Sequence, residues 1–136
     1  MATILQIANA DKNLSLFTKG LKTSELDNKL TELGPFTILG PVNLALSRLM
    51  SLTYEQLLEP ANRSELLYQL SGYILVGKKM FSDFRNDQKY VTLNGKQIIV
   101  STNNGETRIN GAKILARDKQ GSNGVVHLID NTYSTP

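Results

Sequence analysis

The order of the predicted elements indicates an α+β domain, with helices in the first part of the chain and strands in the second. Apolar residues at helical spacing dominate up to about Asn86, and short β-branched runs separated by Asn-Gly turns follow. Helices and strands that are segregated along the chain favour this class over alternating strand-helix units. A length of 136 residues is enough for one domain, residues 1–136, with its own core.

Three apolar stripes predict the first three helices. Thr3 with Gln6 has the spacing of a capping box, and so does Ser24 with Asp27. Gly34, followed by a proline, is predicted to end the third helix at a positive φ. The inner faces of these helices are expected to consist of Ile4, Ile7 and Ala8; Leu14, Phe17 and Leu21; and Leu26, Leu30 and Leu33.

A short strand and three more helices are predicted next. The strand is expected to stop at Gly40 and Pro41, and Asn43 is the predicted N-cap of the following helix. Two further helices are predicted to begin after Thr53 and Asn62, each with a capping-box spacing. The three inner faces are expected to consist of Leu46, Leu49 and Met50; Tyr54, Leu57 and Leu58; and Leu66, Leu67 and Leu70.

Asn-Gly turns predict the hairpins of the second part, which is preceded by a strand at residues 73–76. Residues 90–100 and 107–116 each contain two β-branched runs separated by Asn-Gly, the strongest short signal for a tight hairpin. Residues 103–105 form a further turn between them. A polar loop at residues 118–122 is predicted to lead into the last strand.

The last strand, residues 125–129, is apolar except for His127, the chain's only histidine. Such a run predicts a strand covered on both faces, with His127 on the same face as the β-branched Val125 and Ile129. Two interpretations are open: His127 is a catalytic base or metal ligand, or it is a neutral core residue with satisfied ring nitrogens. No cysteine and no second histidine accompany it, which favours the core interpretation. No catalysis, metal site or cofactor is therefore expected.

The charge pattern argues against nucleic-acid and membrane partners. The net charge is +3, but the basic residues are scattered and Lys78-Lys79 is the only adjacent pair. No stretch approaches the roughly twenty apolar residues that a membrane span needs. The N-terminus has no signal-peptide pattern, so we expect either a cytoplasmic chain or a mature domain with an added start methionine.

The C-terminal stretch resembles a signature of the fasciclin-like domains, a family of extracellular adhesion modules. Residues 123–130 read N-G-V-V-H-L-I-D, so that Asn123, Gly124 and His127 are motif residues. Residues 110–115, N-G-A-K-I-L, are similar to the family's strand before the last loop.

A second motif lies at the first strand. The family carries the form T-V-F-A-P-T-N-E-A-F there, and this chain keeps Thr37, Pro41, Asn43 and Ala45. Leu44 replaces the family's acidic residue and leaves an apolar side chain near the start of a helix. We expect Thr37, Pro41 and Asn43, like the C-terminal motif residues, to have structural roles.

The resemblance implies a wedge-shaped antiparallel β-sandwich with a flanking layer of N-terminal helices. It further implies a non-enzymatic adhesion or protein-interaction module that is secreted, periplasmic or at the cell surface. The partner would be a protein or a cell-surface or matrix component, and weak self-association is an open alternative. A secreted or periplasmic carrier of a small apolar ligand is the alternative function. An enzyme is less favoured, because the carboxylates show no paired spacing.

The residues expected to contact a partner are Tyr73, Asp118 and Leu44. In animal members of the family, integrin recognition is attributed to a Tyr-His pair and to an Asp-Ile pair before the C-terminal motif. The corresponding pairs here are Tyr73-Ile74 and Asp118-Lys119. We therefore expect no integrin binding through this loop. The alternative role for Asp118 is that of a turn residue bonded to its own backbone.

Overall fold

The computed structural model describes residues 2–31, 34–47 and 54–133. Outside these residues lie four sequence predictions, those for Leu33, Leu49, Met50 and Thr53. Within them the chain forms six helices and seven strands, which confirms the α+β class. The helices are α1 (Ile4–Ala10), α2 (Ser15–Thr23), α3 (Leu26–Lys29), α4 (Asn43–Ser47), α5 (Tyr54–Leu57) and α6 (Arg63–Ser71). The strands are β1 (Phe36–Pro41), β2 (Ile74–Val76), β3 (Lys89–Val91), β4 (Gln97–Asn103), β5 (Glu106–Ile109), β6 (Ala112–Gly121) and β7 (Gly124–Ile129).

The seven described strands form one sheet in the order β2-β1-β7-β6-β5-β4-β3. One pair, β1 with β7, is parallel, which departs from the predicted antiparallel arrangement. A parallel pair requires a long connection, and the chain between β1 and β7 contains the other five strands. An antiparallel bridge between Leu75 and Thr92 joins the two end strands. The sheet therefore curls nearly into a barrel. Its two edges, at β2 and β3, meet at this bridge and so leave less unpaired backbone exposed.

The first two predicted helices form, and most of their predicted inner faces are buried. Thr3 Oγ1 accepts a hydrogen bond from Gln6 N at 3.2 Å, and Gln6 Oε1 accepts one from Thr3 N at 2.9 Å, completing the capping box. α1 contacts β6 and β7. The predicted inner faces are fully buried at Ile4, Ala8, Leu14, Phe17 and Leu21, whereas Ile7 is only partly buried. This apolar layer and the sheet share one hydrophobic core.

The predicted capping box at Ser24 and Asp27 is wrong. The N-cap of α3 is Glu25, at a φ of 64° and without a side-chain cap. Ser24 is buried, and its hydroxyl donates to the carbonyl oxygen of Gly20 at 2.8 Å. A buried hydroxyl needs a partner, and the carbonyl four residues earlier offers one within the helix. Ser24 therefore closes α2, although its hydroxyl oxygen also accepts a long hydrogen bond, at 3.4 Å, from Leu26 N at the start of α3.

The prediction for α6 is partly wrong. Leu66 and Leu70 are buried, whereas Leu67 is 40% exposed. Positions four apart share a helix face, and the position directly after Leu66 is turned away from it. Asn62 precedes α6 without capping it, and its Nδ2 donates instead to the carbonyl oxygen of Gln56 at 2.8 Å.

β1 continues through the Gly-Pro pair at which it was predicted to stop. Gly40 pairs with Leu128 and Pro41 with Ile129 of β7. A Cβ on Gly40 would lie 2.8 Å from Leu14 Cδ2, so the glycine lets α2 approach the strand closely. Pro41 is the last residue of β1, where the missing N–H of a proline is tolerated.

The second part contains the predicted hairpins, with two changes. Asn104-Gly105 and Asn110-Gly111 form two-residue turns at positive φ, as predicted. The loop at Asn94 is longer than two residues: Thr92 N donates across the hairpin to the carbonyl oxygen of Lys96 at 2.9 Å, which leaves three residues between them. Thr92 also forms the bridge to β2. The predicted loop at residues 118–122 is wrong. β6 extends to Gly121, because register shifts along β6 absorb the extra residues.

We expect Gly124→Ala to destabilise the domain severely. The backbone at Gly124 has a φ of 153°, and a Cβ there would collide with the carbonyl oxygen of Phe36. The expected loss is at least about 2 kcal/mol of unfolding free energy, measured by chemical denaturation. Gly105→Ala is the matched control, since its φ is also positive, at 81°, and its Cβ would meet no atom within 4 Å. If both variants lost the same small amount, Gly124 would not be the steric constraint described here.

Candidate functional site

Asn123, the first residue of the C-terminal motif, connects three elements. Its Oδ1 accepts from Ile4 N at 3.0 Å, and its Nδ2 donates to the carbonyl oxygen of Leu30 at 2.9 Å. Its own carbonyl accepts from Phe36 N at 2.9 Å. Ile4 begins α1 and Leu30 is the C-cap of α3, positions where backbone groups lack partners within the helix. Asn123 therefore caps two helices and holds the start of β1.

Asn43 caps a helix other than its own. α4 begins at Asn43, but Oδ1 accepts from Leu16 N at 2.9 Å, in the first turn of α2. The N-cap of α2, Leu14, makes no side-chain bond of its own. Nδ2 of Asn43 donates to the Lys12 carbonyl oxygen and to Ser15 Oγ, both at 2.9 Å. The predicted cap within α4 is therefore wrong, because a tertiary partner takes the side chain.

Residues 77–81, which we call the strap, are held against β1 and β7 by two buried side chains. Thr37 Oγ1 donates to the carbonyl oxygen of Gly77 at 2.7 Å and accepts from Lys79 N at 2.8 Å. His127 Nε2 lies 2.8 Å from the carbonyl oxygen of Lys79. Thr37 and His127 occupy paired strands, two rows apart, and so share one face of the sheet. The motif residues of the two strands thus bind the same segment.

Both ring nitrogens of His127 are bonded to the backbone. Nδ1 accepts from Asp118 N at 3.1 Å, so Nε2 carries the proton and donates to Lys79. The Phe84 ring packs edge-on, with centroids 5.5 Å apart. Burial of the ring lowers the pKa of His127 below its ordinary value of 6.5. The core interpretation accounts for this geometry, because both ring nitrogens are bonded within the domain.

Asp118 fastens the other end of the strap. Its Oδ1 accepts from Phe81 N at 2.8 Å, and its φ is 60°. The alternative role, a turn residue bonded to its own backbone, is replaced by this longer-range bond. The next residue, Lys119, donates from Nζ to Asp11 Oδ2 at 2.8 Å. Although burial acts in the opposite direction, the Lys119 ammonium and the N–H of Asn13 hold the pKa of Asp11 below its usual range.

Tyr73 and Leu44, the other two predicted partner-binding residues, differ in exposure. Tyr73 is 5% exposed and lies under Tyr133, with ring centroids 4.5 Å apart. Its hydroxyl accepts from Tyr133 N at 3.0 Å and donates to the Tyr133 carbonyl at 3.2 Å. Burial raises the pKa of Tyr73 to about 12. The expected partner surface at Tyr73 is therefore not available, whereas Leu44 on α4 is 65% exposed.

Three cations near the strap are not recognisable as a group from their spacing in the sequence. Lys78 and Lys79 belong to the strap, and Arg117 of β6 lies over the Phe81 ring. The available signal is the adjacency of Lys78 and Lys79, which the scattered charge elsewhere obscures. Only the fold brings Arg117 to the same segment.

Neither a metal site nor a membrane span is found in the part of the chain that the structure describes. Within residues 2–31, 34–47 and 54–133, no three His, Cys, Asp or Glu side chains are grouped so that they could hold a metal ion. Of the helices described, none combines the length and the apolar character that crossing a membrane requires.

We expect His127→Ala to cost on the order of 1–4 kcal/mol of unfolding free energy, because it leaves a cavity and two unpaired backbone groups. Those groups are the N–H of Asp118 and the carbonyl of Lys79. Thermal and chemical denaturation measure the loss. A variant that kept its thermal midpoint but lost an assayed binding activity would show that His127 acts directly.

The stability of the domain should fall as the pH drops below about 6.5, because the folded state lowers the pKa of His127. Above this pH the ring is neutral in both states. Below it the unfolded chain takes up the proton first, and the loss is complete once the pH passes the lowered value. Unfolding free energies from about pH 8 to about pH 5 measure the effect. His127→Gln should flatten this part of the profile, and an unchanged slope would rule out His127 as its source.

The chain matches known proteins along most of its length. A family model described as the fasciclin domain matches residues 12–133. Protein sll1483 of Synechocystis sp. is 29% identical over 134 residues, which cover 98% of this chain and 74% of that protein. Periostin of Homo sapiens is 30% identical over 122 residues, which cover 88% of this chain and 14% of periostin.

A solved structure shares the fold. It is a FAS1 domain pair from the insect cell adhesion molecule fasciclin I, with a TM-score of 0.75 at 18% identity. The match covers 98% of this chain and 51% of that one. At 18% identity this similarity shows only that the two proteins share a fold. The assignment to a family rests on the family model, which matches residues 12–133. The chain belongs to the fasciclin domain family.

Proposed function

We propose that the domain is a non-enzymatic adhesion or protein-interaction module that acts outside the cell or at its surface. Family membership supports this, since the structural neighbour comes from a protein described as an insect cell adhesion molecule. The partner is a protein or a component of the cell surface or matrix. Because one fold can serve many functions, the residues of this domain have to support the proposed role as well.

The observation that carries the proposal is that the motif side chains bond within the domain. Thr37, Asn43, Asn123 and His127 all direct their polar atoms to backbone groups of other elements. Among the described residues, no buried side-chain nitrogen or oxygen lacks a hydrogen-bond partner. A catalytic site needs polar groups that can meet a substrate, whereas these are occupied. Recognition is therefore left to the surface.

The helical layer around Leu44 is the proposed contact surface. Leu44 is 65% exposed, more than any other large apolar side chain among the described residues. A leucine that becomes buried at an interface contributes about 1.5–3 kcal/mol. Weak self-association through the same surface would be one outcome of the test below.

The part of β6 at Asp118, which was predicted to be a loop, is a poor route to an integrin. The carboxylate of Asp118 already accepts from Phe81 N, and Lys119 replaces the apolar residue and is paired with Asp11. A hydrated ammonium loses the burial energy of an isoleucine-sized group, about 1.5–3 kcal/mol. The proposed attachment therefore does not use Asp118 and Lys119.

The alternative function, a carrier of a small apolar ligand, finds little support. The space between α5 and α6 has a volume of about 10 Å³, enough for about one water molecule. A groove of about 630 Å³ beside α1 is larger, but it is open to solvent and has Asp11, Lys12 and Lys119 in its lining. Ligand pockets bury most of the ligand, which an open groove does not do.

Cell attachment to the immobilised domain tests the proposal. Leu44→Asp should weaken attachment about tenfold or more, because it removes the apolar anchor and adds a charge. Leu115→Asp is the matched control, since Leu115 is 54% exposed but lies on β6. Asp118→Asn should leave attachment unchanged, because the amide oxygen still accepts from Phe81 N and asparagine tolerates the positive φ.

The outcomes separate the possibilities. Equal loss in Leu44→Asp and Leu115→Asp would contradict a specific surface at Leu44. Loss in a folded Asp118→Asn would show that the carboxylate itself meets the partner. Sedimentation of the wild-type domain and Leu44→Asp would reveal self-association, which would replace a foreign partner at this surface.

A further inference from the structure

Three cations of the strap and β6 lack a carboxylate partner. Lys78 Nζ donates to the neutral side chain of Gln120 at 2.8 Å. Lys79 Nζ lies 5.4 Å from the centroid of the Tyr90 ring. The third cation, Arg117, has its Cζ 4.0 Å from the centroid of the Phe81 ring. Within the described residues, none of the three cations takes part in an ion pair, whereas other basic residues do.

Two carboxylates accept hydrogen bonds from the backbone of the strap. Asp118 Oδ1 accepts from Phe81 N, and Asp83 Oδ2 accepts from Met80 N, both at 2.8 Å. These bonds orient the acids toward the strap backbone. The Asp83 side chain is exposed to solvent. Both acids keep their negative charge, so the three cations exceed them by one, in a domain whose net charge is +3.

The fold holds these cations in place. Thr37, His127 and Asp118 bind the strap backbone, so that Lys78 extends toward β6 and Lys79 toward β3. The aromatic rings further restrict Lys79 and Arg117 by cation–π contact. Restricting charged side chains before binding lowers the entropy cost of engaging an anion.

We propose that this surface, Lys78, Lys79 and Arg117 with Gln120 and Tyr90, binds a linear acidic polysaccharide. Regularly spaced carboxylates or sulfates on such a polymer complement fixed cations, and a guanidinium binds either group through two parallel hydrogen bonds. Gln120 and the Tyr90 hydroxyl provide polar partners for sugar hydroxyls. The inference deepens the proposed function and rests on it for an extracellular location, where such polymers occur.

Other polyanions fit the surface less well. A nucleic-acid strand gains affinity by stacking bases on aromatic rings, but cations lie over Phe81 and Tyr90. A membrane or a protein interface favours exposed apolar anchors. Met80, Phe81 and Tyr90 are only partly exposed, and the exposed apolar residues nearest in sequence lie on three different strands: Val76 on β2, Val91 on β3 and Leu115 on β6.

Binding of purified polymers to the immobilised full chain tests the proposal. The probes are polygalacturonate, which carries carboxylates, and dextran sulfate, with neutral dextran as the blank. Replacing Lys78, Lys79 and Arg117 together by glutamine should weaken binding to the acidic polymers at least about tenfold and reduce its dependence on salt. The matched control replaces Lys12, Lys19 and Lys22 by glutamine, which removes the same charge from exposed positions in and before α2.

The control should bind within about twofold of the wild type, because a specific surface does not depend on net charge alone. Equal weakening in both triple variants would overturn the proposal, as would the absence of binding by the wild type. Tighter binding to duplex DNA or to phosphatidylserine vesicles would also overturn it. If circular dichroism showed that the strap triple variant is unfolded, the double variant K78Q/K79Q would take its place, because it keeps Arg117 on Phe81.

This experiment uses no cells, so its failure is distinct from that of the proposed adhesion. Leu44→Asp should bind both polymers normally. If polymer binding failed while Leu44-dependent attachment persisted, the module assignment would stand and the polysaccharide surface would be rejected.

Discussion

The side chain of Asn123 is the contact on which the arrangement of helices and sheet depends. It is 7% exposed and bonds to Ile4 N at the start of α1 and to the Leu30 carbonyl at the end of α3. Both groups lack partners within their helices and would be costly to bury unpaired. The adjacent Gly124 then lets β7 pass against the carbonyl of Phe36. Helical layer and sheet are thus joined at one turn.

A second set of buried hydrogen bonds fixes the strap on the surface of the sheet. Thr37 and His127, on neighbouring strands, bind the backbone of residues 77–79, and Asp118 binds Phe81 N. The motif residues therefore act as a frame, and the side chains that point outward from the strap are free to differ in chemistry. A fold of this kind can keep its buried polar bonds while its binding surface changes.

Sequence patterns correctly predicted some of the features that have local causes. The capping box at Thr3 and the turn at Asn110 depend on residues close in the chain, and both formed as predicted. Features with tertiary causes could not be found in this way. Asn43 has the local signal of a cap but bonds to α2, because its preferred partner lies 27 positions away. Tyr73 was expected at a partner surface, yet Tyr133 covers it, and no spacing rule indicates that contact. Arg117 lies in a register-shifted part of β6, and only the fold brings it to the Phe81 ring of the strap.

Native-state hydrogen exchange tests the central claim that the motif residues are the frame of the domain. The amides of Ile4, Lys79 and Asp118 bond to Asn123, Thr37 and His127 respectively. The account predicts that all three exchange only on global unfolding, with the same opening free energy as the central strand β7. Exchange of these amides by local opening, at a free energy well below that of β7, would contradict it.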